Sequence, residues 1–265
     1  MIFRREIGWL VAQSYVLSGR RLAVCRRRSR EGLVVPVVFH GPTPDRLDAI
    51  LAGLDRLVGL ESVEITFDDG RRVLKECVPV LEKYNAPAVF FISPGEILEG
   101  FNWAESEAAR RCGLDALLRL SAEERHARLA AHGLRSRSGE LLSVEDVRSL
   151  SRHPLVEFGN HTWSHMSCTS RPMAEALDEI DRAQRVIEEW TGRAPAKFSY
   201  PFGHGSPELD AAVRARGLVP YGLRPGLAPC RADGRFRNMA YEDMSIAENL
   251  GRLLAAWPRV GRVPS

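Results

Sequence analysis

The chain has 265 residues, 45% hydrophobic and 27% charged, with a formal net charge of +3. That is the profile of a soluble globular protein long enough for one large α/β domain. Five cysteines without a CxxC pair exclude a disulfide framework and a zinc knuckle. No apolar run approaches the roughly 20 residues needed to cross a bilayer. The N-terminus lacks the pattern of a secretory signal, so a cytoplasmic protein is expected.

Residues 1–32 form a basic segment in which Arg20, Arg21 and Arg26–Arg28 crowd together and Glu6 is nearly the only acid. This reads as a solvated basic face or a peripheral contact with an anionic membrane surface. No basic stripe with interleaved aromatics occurs elsewhere, so no nucleic-acid partner is expected. Residues 33–265 read as one domain. Leu33–Phe39 is a β-branched strand ending at His40, and Asp45–Val58 repeats apolar residues at helical spacing. Ser62–Phe67 is a buried strand, followed at once by Asp68-Asp69-Gly70. Val73–Tyr84 is the next helix and Ala88–Ile92 the next strand. This β-α-β-α order predicts a mostly parallel sheet.

Regularity loosens over residues 94–142, too long for a normal connection, which predicts a helical insertion and a candidate lid. Ala108–Ala131 is helix-prone, and Ser121-Ala-Glu-Glu is a capping start. Alternation then returns. Ser143–Ser151 is a helix, Val156–Gly159 a strand and Met173–Thr191 an amphipathic helix closed by Gly192. Lys197–Tyr200 is a strand, Pro207–Arg216 a helix, Val219–Leu223 a strand and Met244–Trp257 a helix.

Three polar clusters follow predicted strands: Thr66–Gly70, His161–His165 and Tyr200–Gly203. In α/β barrels, strand C-terminal ends bring together side chains from distant positions. The four-residue spacing of His161 and His165 puts both rings on one face if the segment turns helically, which suits a divalent metal. Thr162 and Ser164 offer hydroxyls to orient those rings. Of the adjacent aspartates, one can join the histidines as a third ligand while the other serves as a base. Gly70 permits the tight turn. Around Phe202, Pro201 and Gly203 shape a turn whose backbone N–H can donate to an oxyanion. The bland alternatives are an Asp-Asp-Gly turn, exposed histidines and a strand-ending Pro-Phe-Gly.

Taken together, Thr66–Gly70, the His161/His165 pair and Tyr200–Gly203 resemble, in order and spacing, the successive motifs of the polysaccharide deacetylases (NodB homology, carbohydrate esterase family 4-like). The resemblance spans roughly Leu33 to Leu223. It implies a distorted (β/α)7-type barrel carrying the helical insertion after an early strand. It also implies removal of an N-acetyl group from an amino sugar of a glycan or glycan precursor. Asp68 resembles the catalytic base; Asp69, His161 and His165 resemble the metal ligands; the Phe202 N–H falls where the oxyanion donor lies. Tyr200, Pro201 and Trp103 are candidate substrate contacts. The metal is a divalent cation, Zn2+ first by ligand type, with Co2+, Ni2+, Mn2+ or Fe2+ also accepted by such donors.

Two places depart from the family pattern. The arginine that commonly opens the third motif and pairs with the base is replaced by Ser199, and Arg237 is a spatial substitute. No histidine follows His204, so the late histidine that commonly serves as general acid is missing, and His40, then His204, are the substitutes. Competing readings are hydrolysis of a non-sugar C–N amide on the same fold, or a catalytically silent glycan-binding protein.

Overall fold

The computed structural model describes residues 34–134, 139–223 and 237–255. The Arg-rich segment 1–32, and with it the expected membrane contact, lies outside the described residues. No described helix is long and apolar enough to cross a membrane.

The molecule is organised around one parallel sheet. Its strands are β1 (Val35–Phe39), β2 (Val63–Phe67), β3 (Ala88–Ile92), β4 (Val156–Asn160), β5 (Lys197–Ser199), β6 (Val219–Tyr221) and β7 (Asn238–Met239), in the order β6-β5-β4-β3-β2-β1-β7. All pairings are parallel. Every residue of β1, β2 and β3 is buried, as a sheet covered on both faces requires. The sheet curls into a half-barrel with β6 and β7 at its two edges, the barrel architecture the motif resemblance implied.

Alternation along the strands sorts side chains to two faces. One face carries an aromatic row, Phe39, Phe67, Phe90 and Phe158, whose ring centres lie 5.1–5.9 Å apart in successive pairs. It packs on the helices between strands: α1 (Pro44–Val58), α2 (Leu74–Tyr84), α7 (Val144–Leu150) and α8 (Met173–Thr191). The inner face carries Val89 and Phe91 against Tyr221. From there the Tyr221 hydroxyl donates to Glu64 Oε1 across the interior at 2.7 Å.

Between β3 and β4 the expected insertion is four short helices: α3 (Pro94–Glu99), α4 (Glu107–Cys112), α5 (Leu114–Leu118) and α6 (Ala122–Ala131). The single helix-prone stretch at Ala108–Ala131 is broken at Gly113, whose φ of 81° is left-handed, and again at Ser121. There the predicted cap is a full capping box with Glu124. These helices carry their own apolar cluster around Phe101, Trp103, Leu117 and Leu129. Two further helices, α9 (Pro207–Arg214) and α10 (Ile246–Ala255), complete the described fold. α9 stops two residues before the sequence expectation of Arg216. The last two residues expected of α10, Ala256 and Trp257, lie outside the described residues.

Candidate active site

Phe39, Phe67, Asn160 and Ser199 end β1, β2, β4 and β5 at one rim of the sheet, and the polar clusters stand just past them. The Asp68 N–H donates to Phe39 O at 2.9 Å, carrying the β1–β2 ladder one residue further. The chain then turns through Asp69 (φ 71°) and Gly70 (φ 62°). Asp tolerates this left-handed region better than most residues, and at Gly70 a Cβ would meet the Ile92 side chain at 3.0 Å.

That turn directs Asp69 at both histidines. Its Oδ1 lies 3.5 Å from His161 Nε2 and 3.2 Å from His165 Nε2. The three candidate ligand atoms all lie within 4.8 Å of one another, and all three residues are buried. The four-residue His spacing is not a helical turn, contrary to the sequence expectation. Thr162 (φ 64°) and His165 (φ 53°) are left-handed, so the segment is a tight loop. Thr162 N–H donates to Asn160 Oδ1, and Met166 N–H donates to Thr162 Oγ1. The hydroxyls of Thr162 and Ser164 therefore serve the loop rather than the rings. His161 is oriented instead by its Nδ1–H, which donates to Ser199 O at 2.7 Å.

That hydrogen bond decides the chemistry of the donor set. A carbonyl only accepts, so Nδ1 carries a proton and Nε2 is the ring atom turned toward Asp69 and left to bind a cation. Burial acts to raise the Asp69 carboxyl, but the hydrogen bonds of His161 and His165 and the charges of His165 and His40 outweigh it, holding the group well below 3.8. Burial, with the charges of His161 and Arg125, lowers His165 against the pull of Asp69. A carboxylate oxygen and two imidazole nitrogens converging on one point fit a divalent cation of the zinc type.

Asp68 is kept apart from this set. Arg237, 1% exposed, donates from Nη1 to Asp68 Oδ1 at 2.7 Å and from Nη2 to Oδ2 at 2.8 Å. Its Nε donates to Gly222 O, and its Nη2 also reaches Ser199 Oγ at 2.6 Å. Ser199 Oγ in turn donates to Asp68 Oδ2 at 3.2 Å. Ser199, standing where the family commonly has arginine, leaves room for this guanidinium. Burial acts to raise Asp68, and the charges of Arg237, His161 and His40 with the Arg237 hydrogen bonds bring it below 3.8.

The remaining candidates divide. His40 is half-buried and directly follows Phe39, the residue whose carbonyl accepts the Asp68 N–H. Phe202 has a left-handed backbone (φ 60°) and its ring lies 4.8 Å from that of His165. No backbone carbonyl among the described residues takes up its N–H. His204 lies beyond Phe202, with ring centres 5.8 Å apart, and its Nδ1 is paired with Ser167 Oγ at 2.8 Å.

Three expected substrate contacts are placed differently. Tyr200 is 2% exposed and donates its hydroxyl to Asp210, and Pro201 is buried. Trp103, expected to offer a face to a sugar, is 4% exposed. Its ring stands edge-on to His165 at 6.3 Å, and its Nε1–H donates to Ser164 O. Burial makes these three walls and props rather than platforms.

Two buried charged residues had no sequence signal pointing to the site. Glu96 Oε1 accepts from Trp103 N–H at 3.1 Å, and burial with the nearby Asp69 charge raises its carboxyl well above 4.5. Arg125 sits on the same face of α6 as buried Leu129, and that four-residue spacing was the only available clue.

The family model for polysaccharide deacetylases matches residues 58–221, more than half of the chain. The chain belongs to that family. Among solved structures, the chain is similar to the Streptococcus pyogenes deacetylase PplD, at 15% identity and a TM-score of 0.59 over 83% of this chain and 98% of that one. It is also similar to IcaB from Ammonifex degensii, at 18% identity and a TM-score of 0.57 over 84% and 97% of the two chains. Both likenesses concern the fold. In sequence it is 36% identical over 58 residues to the peptidoglycan-N-acetylmuramic acid deacetylase PdaC of Bacillus subtilis. That stretch covers 22% of this chain and 12% of the relative.

Proposed function

We propose that this protein is a metal-dependent hydrolase that removes the N-acetyl group from an amino sugar of a glycan or glycan precursor. The observation that carries the reading is the division of labour between adjacent aspartates. Asp69 converges with His161 and His165, while Asp68 is clamped by Arg237 with its carboxylate ionised.

Asp69, His161 and His165 would hold the cation. When bound, it supplies Lewis-acid polarisation of the acetamide carbonyl and of the attacking water. Asp68 takes the proton from that water as its oxygen bonds to the carbonyl carbon. Its low proton affinity in the resting site keeps it ready as an acceptor, and the two Arg237 donors hold it in place. The Phe202 N–H donates to the carbonyl oxygen as negative charge builds there. The C–N bond then breaks. The departing nitrogen takes a proton from His40, just past the end of β1, because an amide anion is too poor a leaving group. The products are acetate and a free amine.

Arg237 meeting Asp68 favours a working base over a catalytically silent glycan binder, which has no use for a spare carboxylate pinned beside a ligand set. Zn2+ suits the donors first, and metal analysis of the purified protein distinguishes it from Co2+, Ni2+, Mn2+ and Fe2+. The experiment is acetate release from an N-acetylglucosamine oligosaccharide before and after chelation. Loss on chelation and return on adding metal support the reading; chelator-resistant acetate release would overturn metal dependence.

A further inference from the structure

The insertion between β3 and β4 does more than cover the site: it grips the backbone of the loop that carries both histidines. Residues 161–165 have two left-handed positions and local bonds only at Thr162, and the rest of their backbone is held from other elements. Ser93 Oγ donates to His161 O at 2.8 Å. Gly95 N–H donates to Trp163 O at 2.9 Å, so closely that a Cβ at Gly95 would stand 2.7 Å from the same oxygen. Ser164 is held most. Its carbonyl accepts from Trp103 Nε1 at 3.1 Å and from Arg125 Nη2 at 2.8 Å, and its Oγ accepts from Arg125 Nη2 at 3.0 Å. From the opposite side Glu179 of α8 accepts from Ser164 N–H at 2.7 Å and lies 3.1 Å from its hydroxyl.

Arg125 is 4% exposed, and its guanidinium lies 4.2 Å from the centre of the Trp103 ring. Among the described residues no carboxylate comes within ion-pair distance of it. A buried guanidinium needs hydrogen-bond partners; here Nη2 finds both of its acceptors, a carbonyl and a hydroxyl, on Ser164, the residue preceding His165. The direction of the Ser164 peptide sets where the left-handed His165 backbone points its imidazole.

The geometry points to Arg125, seconded by Trp103, as a positioning residue of the metal site, fixing His165 through Ser164 so that the insertion completes the ligand set. This rests on the metal-site reading of Asp69, His161 and His165. Groups outside the ligand sphere that orient ligands typically change metal affinity by about 10- to 100-fold when removed.

The test titrates full-length protein with Co2+ and follows affinity and the visible d–d spectrum, with thermal unfolding measured in parallel. Wild type is expected to bind one Co2+, and His165→Ala to lose the spectrum. Arg125→Met is expected to bind about 10- to 100-fold more weakly with an altered spectrum, and Arg125→Lys to recover part of the affinity. Trp103→Phe, which removes one donor and keeps the ring, is expected to show a smaller loss and serves if Arg125→Met does not fold. Wild-type affinity and spectrum in folded Arg125→Met, or in Trp103→Phe if it alone folds, would overturn the positioning role and leave the metal site standing. Absence of Co2+ binding by wild type would overturn the metal site itself, and the positioning role with it.

Discussion

Arg237 and Asp68 meet as a two-pronged pair, Nη1 to Oδ1 at 2.7 Å and Nη2 to Oδ2 at 2.8 Å, across 169 residues of sequence. Planar, bidentate contact is what distinguishes Arg from Lys at such a place. Breaking a buried pair by removing one partner costs about 3–5 kcal/mol, since a charge is left unpaired. Arg237→Met is therefore expected to lower unfolding free energy in urea by that order and to depress turnover while bound metal is retained. Unchanged turnover in a folded Arg237→Met would remove Arg237 from the account.

Asp69 joins His161 and His165 through one oxygen. Asp69→Ala and His161→Ala should each lose metal and acetate release together, read by metal analysis of purified protein. Full activity in a metal-free variant would contradict the ligand assignment.

His40 directly follows Phe39, whose carbonyl accepts the Asp68 N–H. His40→Ala should keep stoichiometric metal and lose about 10²- to 10⁴-fold in kcat, the usual contribution of a general acid. A kcat within twofold of wild type would show that the proton comes from elsewhere.

Glu96 gives a pH prediction. Burial and the Asp69 charge raise its carboxyl well above 4.5 in the folded protein. Between the unfolded and folded values, the folded chain therefore holds more protons than the unfolded one. Unfolding free energy falls as pH rises through that window, because the slope follows protons bound in the unfolded minus the folded state. Glu96→Gln keeps an acceptor for Trp103 N–H and does not ionise. In metal-free protein, its stability relative to wild type should grow as pH rises above 4.5. Parallel profiles for the two proteins would show that Glu96 is not raised.

The strands and polar clusters could be read from sequence because each depends on local pattern. β-Branched runs ended in Asp68-Asp69-Gly70 and at Asn160-His161, and the structure puts those ends at one rim. What lay beyond local pattern was harder. β7 is two residues long, Asn238–Met239, too short to leave a periodic signal, and so the delivery of Arg237 to Asp68 could only be named as a substitution. Trp103 in a polar stretch reads as exposed, yet its indole is turned inward by a hydrogen bond to Ser164 O, a partner 61 residues away. Arg125 reads as a surface charge on a charged helix because nothing local announces that its partner is a backbone carbonyl of the histidine loop.

Asp68 is the proposed base of a deacetylation supported by a separate metal triad. The most direct measurement is acetate release by metal-loaded wild type and Asp68→Asn across N-acetylhexosamine substrates, from nucleotide sugars to oligosaccharides, with metal content determined in the same samples. Acetate is expected from wild type on at least one substrate, with near-complete loss in Asp68→Asn at equal metal occupancy. Equal acetate release from the two proteins, or none from metal-replete wild type on any of these sugars, would contradict it.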